Sequence, residues 1–196
     1  MAKVGAVILA AGSSSRFGKP KQLVPFQGQT LLERAVSAAI KGGCTPVIVV
    51  TGSDAADVAV AISAARSIVV ENYEWAEGVG TSIRAGMQRL IDVAPEVEAA
   101  VLLVCDQPFV SGETVAILQQ RWRETGKAIV ASRYSNTLGV PALFSNVCFQ
   151  DLLSLQKDTG AKPIILANRE RVAEVPFPEG AFDIDTIRDY QELTSR

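Results

Sequence analysis

Three cations, Arg16, Lys19 and Lys21, follow a turn of small residues, Ala10-Ala11-Gly12-Ser13-Ser14-Ser15, which closes the apolar run Val4–Leu9. Glycine lets a backbone pass close to a ligand, and successive N–H groups in such a turn converge on one anion. Arg16 and Lys21 add fixed positive charge beside that nest. A strand ending in a Gly/Ser turn with cations behind it suits a polyphosphate. The plainer alternative is a strand-to-helix loop carrying solvated basic side chains. Acids stand much further along the chain: Asp106 directly after the apolar run Ala99–Val104, and Asp183 and Asp185 within Phe182-Asp183-Ile184-Asp185-Thr186. An acid at the carboxyl end of a buried strand is costly unless a cation meets it; otherwise Asp106 is a turn or N-cap residue beside Pro108. Asp183 and Asp185 alternate with apolar neighbours, so on a strand they share a face, and one of them can instead cap the last helix. The chain has no histidine. That removes Ser-His-Asp and Cys-His catalysis and argues against zinc. A metal here would be held by carboxylates, which points to magnesium or manganese.

The elements that must position these residues alternate along the chain. Val4–Leu9 reads as a buried strand. Thr30-Leu-Leu-Glu33 is a capping-box start to a helix reaching about Lys41, which Gly42-Gly43 end. Pro46–Val50 is a continuous apolar run suited to a parallel strand. Asp54 then caps a helix from Ala55 to about Ala65, and Ile68–Val70 is the next strand. Gly78 and Gly80 lead into a helix from about Thr81. A Gly-rich helix start exposes N–H and hydroxyl groups that can read a base edge or a phosphate, or Thr81 or Ser82 merely satisfies the first turn. Ala99–Val104 is a further strand, Ser111 starts a helix to about Glu124, and Ala128–Ala131 is another strand. Arg133–Val140 reads as a polar loop lying over the site before Val140–Phe144 returns as a strand, with Pro141 at an edge or bulge. Gln150–Leu155 is helical, Asp158 or Thr159 caps the next helix, Val172–Val175 is a strand, and Ile187–Leu193 is the last helix. This alternation predicts an α/β protein with a Rossmann-like, doubly wound, mostly parallel sheet, helices on both faces and a three-layer α/β/α section. At 196 residues it reads as one sizeable domain, 1–196.

Composition narrows the partners. A net charge of −2 carries no broad electrostatic footprint for nucleic acid. The local basic residues therefore favour one small anionic ligand. The N-terminal stretch does not read as a signal peptide, and no apolar run approaches the roughly 20 residues of a spanning helix. Cys44, Cys105 and Cys148 have no metal-ligand spacing, as expected in a reducing cytoplasm. Cys105 reads as a small packed apolar residue rather than a nucleophile.

The first loop does not fit G-x-x-x-x-G-K-[ST], since Gly12 and Gly18 are six apart, nor G-x-G-x-x-G. From Leu9 to Leu23 it resembles the L-A-A-G-x-S-x-R-x-G-x-x-K-Q-L signature of nucleotidyltransferases that activate small phosphorylated molecules. Cys105-Asp106-Gln107-Pro108, Gly139-Val140-Pro141-Ala142-Leu143-Phe144, Asp158-Thr159-Gly160-Ala161 and Asp183-Ile184-Asp185-Thr186 fall in the order seen in the molybdenum cofactor cytidylyltransferase branch of the MobA-like superfamily. The resemblance implies transfer of CMP from CTP to the terminal phosphate of molybdopterin, with release of pyrophosphate and use of magnesium. It implies that Leu9, Ala10, Ala11 and Gly12 line the triphosphate, that Arg16 and Lys21 clamp it, and that Gly80 and Ser82 approach the base. Asp106 and Asp185 are the implied metal ligands, with Asp183 in reserve. Implied partners are a molybdenum hydroxylase or its maturation chaperone. The chain departs from many relatives at Val140, often His or Asn, and at Lys157, often Gly. Neighbouring readings are a methylerythritol phosphate cytidylyltransferase, a molybdenum cofactor guanylyltransferase, whose loop resembles L-A-G-G where this chain has Ala11, and a non-catalytic cofactor-binding chaperone.

Overall fold

A computed structural model describes residues 2–14, 17–62 and 66–194. Strand β1 (Val4–Ala10) runs into the first loop, and a small hairpin, β2 (Pro25–Phe26) and β3 (Gln29–Thr30), leads to helix α1 (Leu31–Lys41). There follow β4 (Val47–Thr51), α2 (Ala55–Ala61), β5 (Ile68–Glu71), α3 (Val79–Val93), β6 (Ala99–Val104) and α4 (Gly112–Thr125). The remainder is β7 (Ile129–Tyr134), β8 (Thr137–Ser145), α5 (Phe149–Leu153), α6 (Lys162–Ala167), β9 (Val172–Pro176) and α7 (Ile187–Thr194).

Seven strands form one sheet in the order β5-β4-β1-β6-β8-β7-β9. The pairs β4–β5, β1–β4, β1–β6 and β7–β9 are parallel, and β8 runs antiparallel to both β6 and β7. Successive strand residues point to opposite faces, so each strand feeds two cores. Ala6, Ile8, Val49 and Leu103 pack with Leu32, Val36, Val115 and Leu118 of α1 and α4. Val7, Ile48, Val50 and Leu102 pack with Ile83, Met87, Leu90, Leu152 and Ile165 of α3, α5 and α6. Helices therefore cover both faces, which is the expected α/β/α layering. β1 is an interior strand beside the central β6, and its carboxyl end opens between β4 and β6.

Several local expectations change. The expected strand Val140–Phe144 is present within β8, but Arg133–Val140 is not a loop over the site: β7 and β8 form a hairpin closed by Ser135 and Asn136, both with positive φ (46° and 57°), as a two-residue turn between twisted strands requires. Pro141 lies on an interior strand, where the register shifts between Ala131 and Ser132. A bulge is what lets a residue without an N–H sit inside a sheet. The carbonyls it displaces find side chains: Ser132 donates to Pro141 O at 2.6 Å, and Tyr134 and Gln107 donate to Val140 O. The Thr30/Glu33 capping box is present. Asp54 makes no cap contact, because its carboxylate accepts from Gln22 and Ser53 instead. α6 begins at Lys162 without a side-chain cap, so neither Asp158 nor Thr159 performs that role. The segment 182–186 is not a strand. The Thr186 hydroxyl, not the carboxylate of Asp183 or Asp185, caps the first turn of α7 by accepting from Asp189 N, and Asp189 accepts in return from the backbone N–H groups of Asp185 and Thr186.

α3 lies directly on β1 and β4 through Gly86, where an added Cβ would touch Val7 and come 2.7 Å from Val50 Cγ2. Gly86→Val should overpack this contact and lower stability by about 1–3 kcal/mol. Urea unfolding should show a lower midpoint at constant m; an unchanged midpoint would mean the helix shifts freely and the close approach is not needed.

Candidate active site

The first loop, the β6 end and the C-terminal segment meet above the carboxyl end of the sheet, where ligands of open α/β sheets gather. Ser14 shapes the loop. Its φ is +52°, its carbonyl accepts from Phe17 N at 2.8 Å and Gly18 N at 3.1 Å, and its hydroxyl accepts from Lys21 N at 2.9 Å and contacts Gln22 Oε1. Phe17 is 1% exposed and seats the loop in a third cluster with Val24, Phe26, Leu31, Ile184 and Leu193. Edge-on ring contacts join Phe17 to Tyr190 at 6.2 Å, Phe26 to Phe109 at 6.2 Å and Phe109 to Phe182 at 5.7 Å. This cluster ties together three stretches that lie far apart in sequence.

Lys21 is held at their junction. Its Nζ lies 2.7 Å from Asp106 Oδ2 and 3.1 Å from Asp185 Oδ1, and the side chain is 15% exposed. Burial alone would pull the ammonium down; the charge and hydrogen bond of Asp106, with Asp185 adding, outweigh it and raise Lys21 above its ordinary range. Backbone bonds fix the acids: Ile184 N donates to Asp106 O at 2.9 Å, and Asp185 N donates to Asp189 Oδ2 at 3.0 Å. Gln107 staples the same region by donating to Val140 O at 3.2 Å and Gly180 O at 3.0 Å. Asp183 does not share the Lys21 contact. Its carboxyl is pushed up to about 6 by partial withdrawal from water and by the charges of Asp106 and Asp185, although the residue as a whole is exposed.

A cavity of about 210 Å³ opens beside this triad. Leu9, Ala10, Ala11, Gly12, Lys21, Ser82 and Asp106, all named above as candidate site residues, line it. Trp75, Val79, Val104 and Cys105 also line it and were not singled out as ligand contacts; Trp75 and Val79 carry no polar signal that would mark them. Gly80 does not line it. Its N–H donates to Lys157 O at 2.9 Å, and a Cβ there would strike Gln156 O, so Gly80 serves the packing of α3 against the 156–159 loop rather than a base. Ser82 is buried and accepts from Asn72 Nδ2 at 3.0 Å. Cys105 is buried and its thiol is pushed up to about 12 by burial and by Asp106, which suits an inert packed residue. Arg16 lies outside the described residues. Lys19 is exposed.

The donor set fits a hard divalent cation. Two carboxylates converge on one point, and the ammonium of Lys21 stands there as a cation already. Among the described residues no group of three or more His, Cys, Asp or Glu side chains forms a cage, so the remaining ligands would be water and phosphate oxygens, as magnesium and manganese accept. Among the described residues no helix is long and apolar enough to cross a membrane.

A Gly/Ser loop, a lysine and two aspartates gathered above the carboxyl end of a doubly wound sheet lie where open α/β proteins take their ligands. Residues 6–172 match the MobA-like NTP transferase domain, and the chain belongs to that family, a nucleotidyltransferase by descent. It is 25% identical over 191 residues to the molybdenum cofactor cytidylyltransferase of Escherichia coli K12, covering 97% of this chain and 95% of that protein. It is 37% identical over 117 residues to the nicotine blue oxidoreductase of Paenarthrobacter nicotinovorans; that match spans 59% of this chain and about half, 55%, of the relative. Among solved structures, Rv0371c from Mycobacterium tuberculosis H37Rv superposes with a TM-score of 0.82 at 30% identity, over 100% of this chain and 98% of that one. A second structure of that protein is a complex with manganese, at 29% identity, TM-score 0.77 and 98% coverage of each chain.

The Asp183 environment has a consequence for stability. Its ordinary value is 3.8 and its folded value about 6. The ionised form is therefore disfavoured in the folded chain; the penalty is absent below about pH 4, grows as pH rises toward 6 and is complete above it. In metal-free buffer Asp183→Asn should melt above wild type near pH 7.5, with the difference vanishing by about pH 3.5. Equal melting temperatures near pH 7.5 would contradict this environment.

Proposed function

We propose that the protein transfers CMP from CTP to the terminal phosphate of molybdopterin and releases pyrophosphate. The observation that carries the reading is the Lys21–Asp106–Asp185 triad at the mouth of a pocket whose other walls are Ala11, Ser82 and Trp75. One end of the pocket is charged and the other is apolar with a hydroxyl, which is the polarity of a nucleotide lying with its phosphates toward Lys21.

On this reading Leu9–Gly12 pass close to the phosphates, and Lys21 and Arg16 neutralise charge that builds on the leaving pyrophosphate. Asp106 and Asp185 hold a magnesium or manganese ion, which when bound polarises phosphate oxygens and offsets their charge. The acceptor phosphate is anionic at neutral pH, so these side chains orient the two substrates and no residue need remove a proton. Ala11 leaves room beside the base, and Ser82 offers a hydroxyl to a pyrimidine edge. The full-length relative that is a cytidylyltransferase supports CTP and molybdopterin as the pair. A second reading, a reductase built on the same pocket, is favoured by the higher identity of the nicotine blue oxidoreductase over its shorter match.

Pyrophosphate release separates the two. With molybdopterin and magnesium, CTP should support release at least about tenfold faster than GTP. Lys21→Ala should lower turnover by about two orders of magnitude or more. Asp106→Asn should cost far more in kcat than in CTP affinity, because the loop still binds the triphosphate. Nucleotide binding without pyrophosphate release would remove the transferase reading. A GTP preference would leave the transferase and remove the cytidylyl assignment.

A further inference from the structure

We infer that Trp75 selects the base by closing the far end of the pocket, and that Gly52 is the residue that permits it; the inference rests on the nucleotide reading above. Trp75 and Val79 form the apolar wall of the cavity away from Lys21. Gly52 follows β4 and lies beneath the indole. A Cβ at Gly52 would touch the carbonyl oxygen of Ala11 and come 2.8 Å from Trp75 Cγ and 2.9 Å from Trp75 Cβ. The first loop, the end of β4 and the turn Trp75–Glu77 therefore meet with no space for a methyl group. Glycine is needed here for close approach, not for backbone conformation.

The wall is held from behind. Trp75 packs on the core beneath α3, and its backbone N–H donates to Asn72 O at 3.3 Å. Asn72 is 5% exposed and donates through Nδ2 to Thr81 Oγ1 at 2.8 Å and Ser82 Oγ at 3.0 Å. The backbone of Trp75 is thus tied through Asn72 to the helix turn that supplies Ser82, so the base of the aromatic wall and the hydroxyl are anchored to one residue. The space they leave is about 210 Å³, below the roughly 300 Å³ at which drug-sized ligand pockets begin. With so little free space, the wall at Trp75 limits how large a base can lie against it. A bulkier two-ring base would press on the indole where it is seated over Gly52. Selectivity of this kind comes from excluding the wrong ligand as much as from contacts with the right one.

The chain has two tryptophans, and Trp122 packs against the core on the opposite face of the sheet. In a Trp122→Phe protein, indole emission therefore reports Trp75. CTP should change that emission saturably, and GTP should do so only at concentrations at least about tenfold higher. In equilibrium dialysis with labelled nucleotides, Trp75→Ala should narrow the CTP-to-GTP affinity ratio by at least about tenfold, chiefly by strengthening GTP, and Trp75→Phe should keep most of the ratio. Gly52→Ala, which leaves the indole in the sequence but forces it outward, should narrow the ratio in the same direction; it also keeps the test open if Trp75→Ala fails to fold by circular dichroism. An unchanged ratio in Trp75→Ala and Gly52→Ala, with CTP still bound by wild type, would overturn the role of Trp75 and leave the nucleotide site standing. Failure of wild type to bind either nucleotide would overturn both together.

Discussion

The ion pairs of Lys21 with Asp106 and Asp185 are the constraint on which the site depends. Two carboxylates brought together without a cation repel, and a lysine largely withdrawn from water is costly without a partner. Each group is tolerable only because the others are present. Lys21 lies on the first loop, Asp106 at the end of β6, and Asp185 before α7, so one ammonium closes three segments at 2.7 and 3.1 Å. The Phe17, Phe109 and Ile184 cluster beneath supplies the apolar burial that keeps those segments in register. Charge alone would not hold them, because partly exposed ion pairs contribute little net stability.

The sheet explains why such a junction forms here. β1 and β6 are adjacent and parallel, so Leu9 and Val104 are register partners and the loops that follow them emerge side by side. The antiparallel β8 then places its bulge where Gln107 can bond Val140 O and Gly180 O. That bridge carries the chain from the Asp106 loop toward the C-terminal segment, whose Ile184 bonds back to Asp106. A polyphosphate arriving at Gly12 would meet cations and acids already aligned, so that little reorganisation remains for the reaction.

Much of this was legible in the sequence because it is local. The apolar run into Gly12, the Thr30/Glu33 capping box and the strand ending at Asp106 each declare themselves within a few residues. The doubly wound order followed from their alternation. The resemblance implies separate roles for Asp106 and Lys21, metal ligand and phosphate clamp, and only the fold shows that they are each other's partners. Long-range contacts decided what the sequence hid. Asp54 resembles an N-cap but is drawn to Gln22, and Gly80 resembles a ligand contact but packs on the carbonyls of Gln156 and Thr159. The hairpin turn Ser135-Asn136 lacks the Asn-Gly order that marks such turns, so a polar stretch read as a loop. Trp75 reaches the pocket because Gly52, 23 positions earlier in the sequence, has no side chain.

The central claim is that the acids on Lys21 form a metal–triphosphate site. A crystal structure with a non-hydrolysable CTP analogue and manganese tests it directly, because anomalous scattering locates the ion. The account predicts a manganese peak within about 2.0–2.3 Å of Asp106 and Asp185 oxygens, or bridged to them by one water, with Lys21 turned onto a phosphate. A nucleotide bound with manganese elsewhere, and both carboxylates still on Lys21, would contradict it.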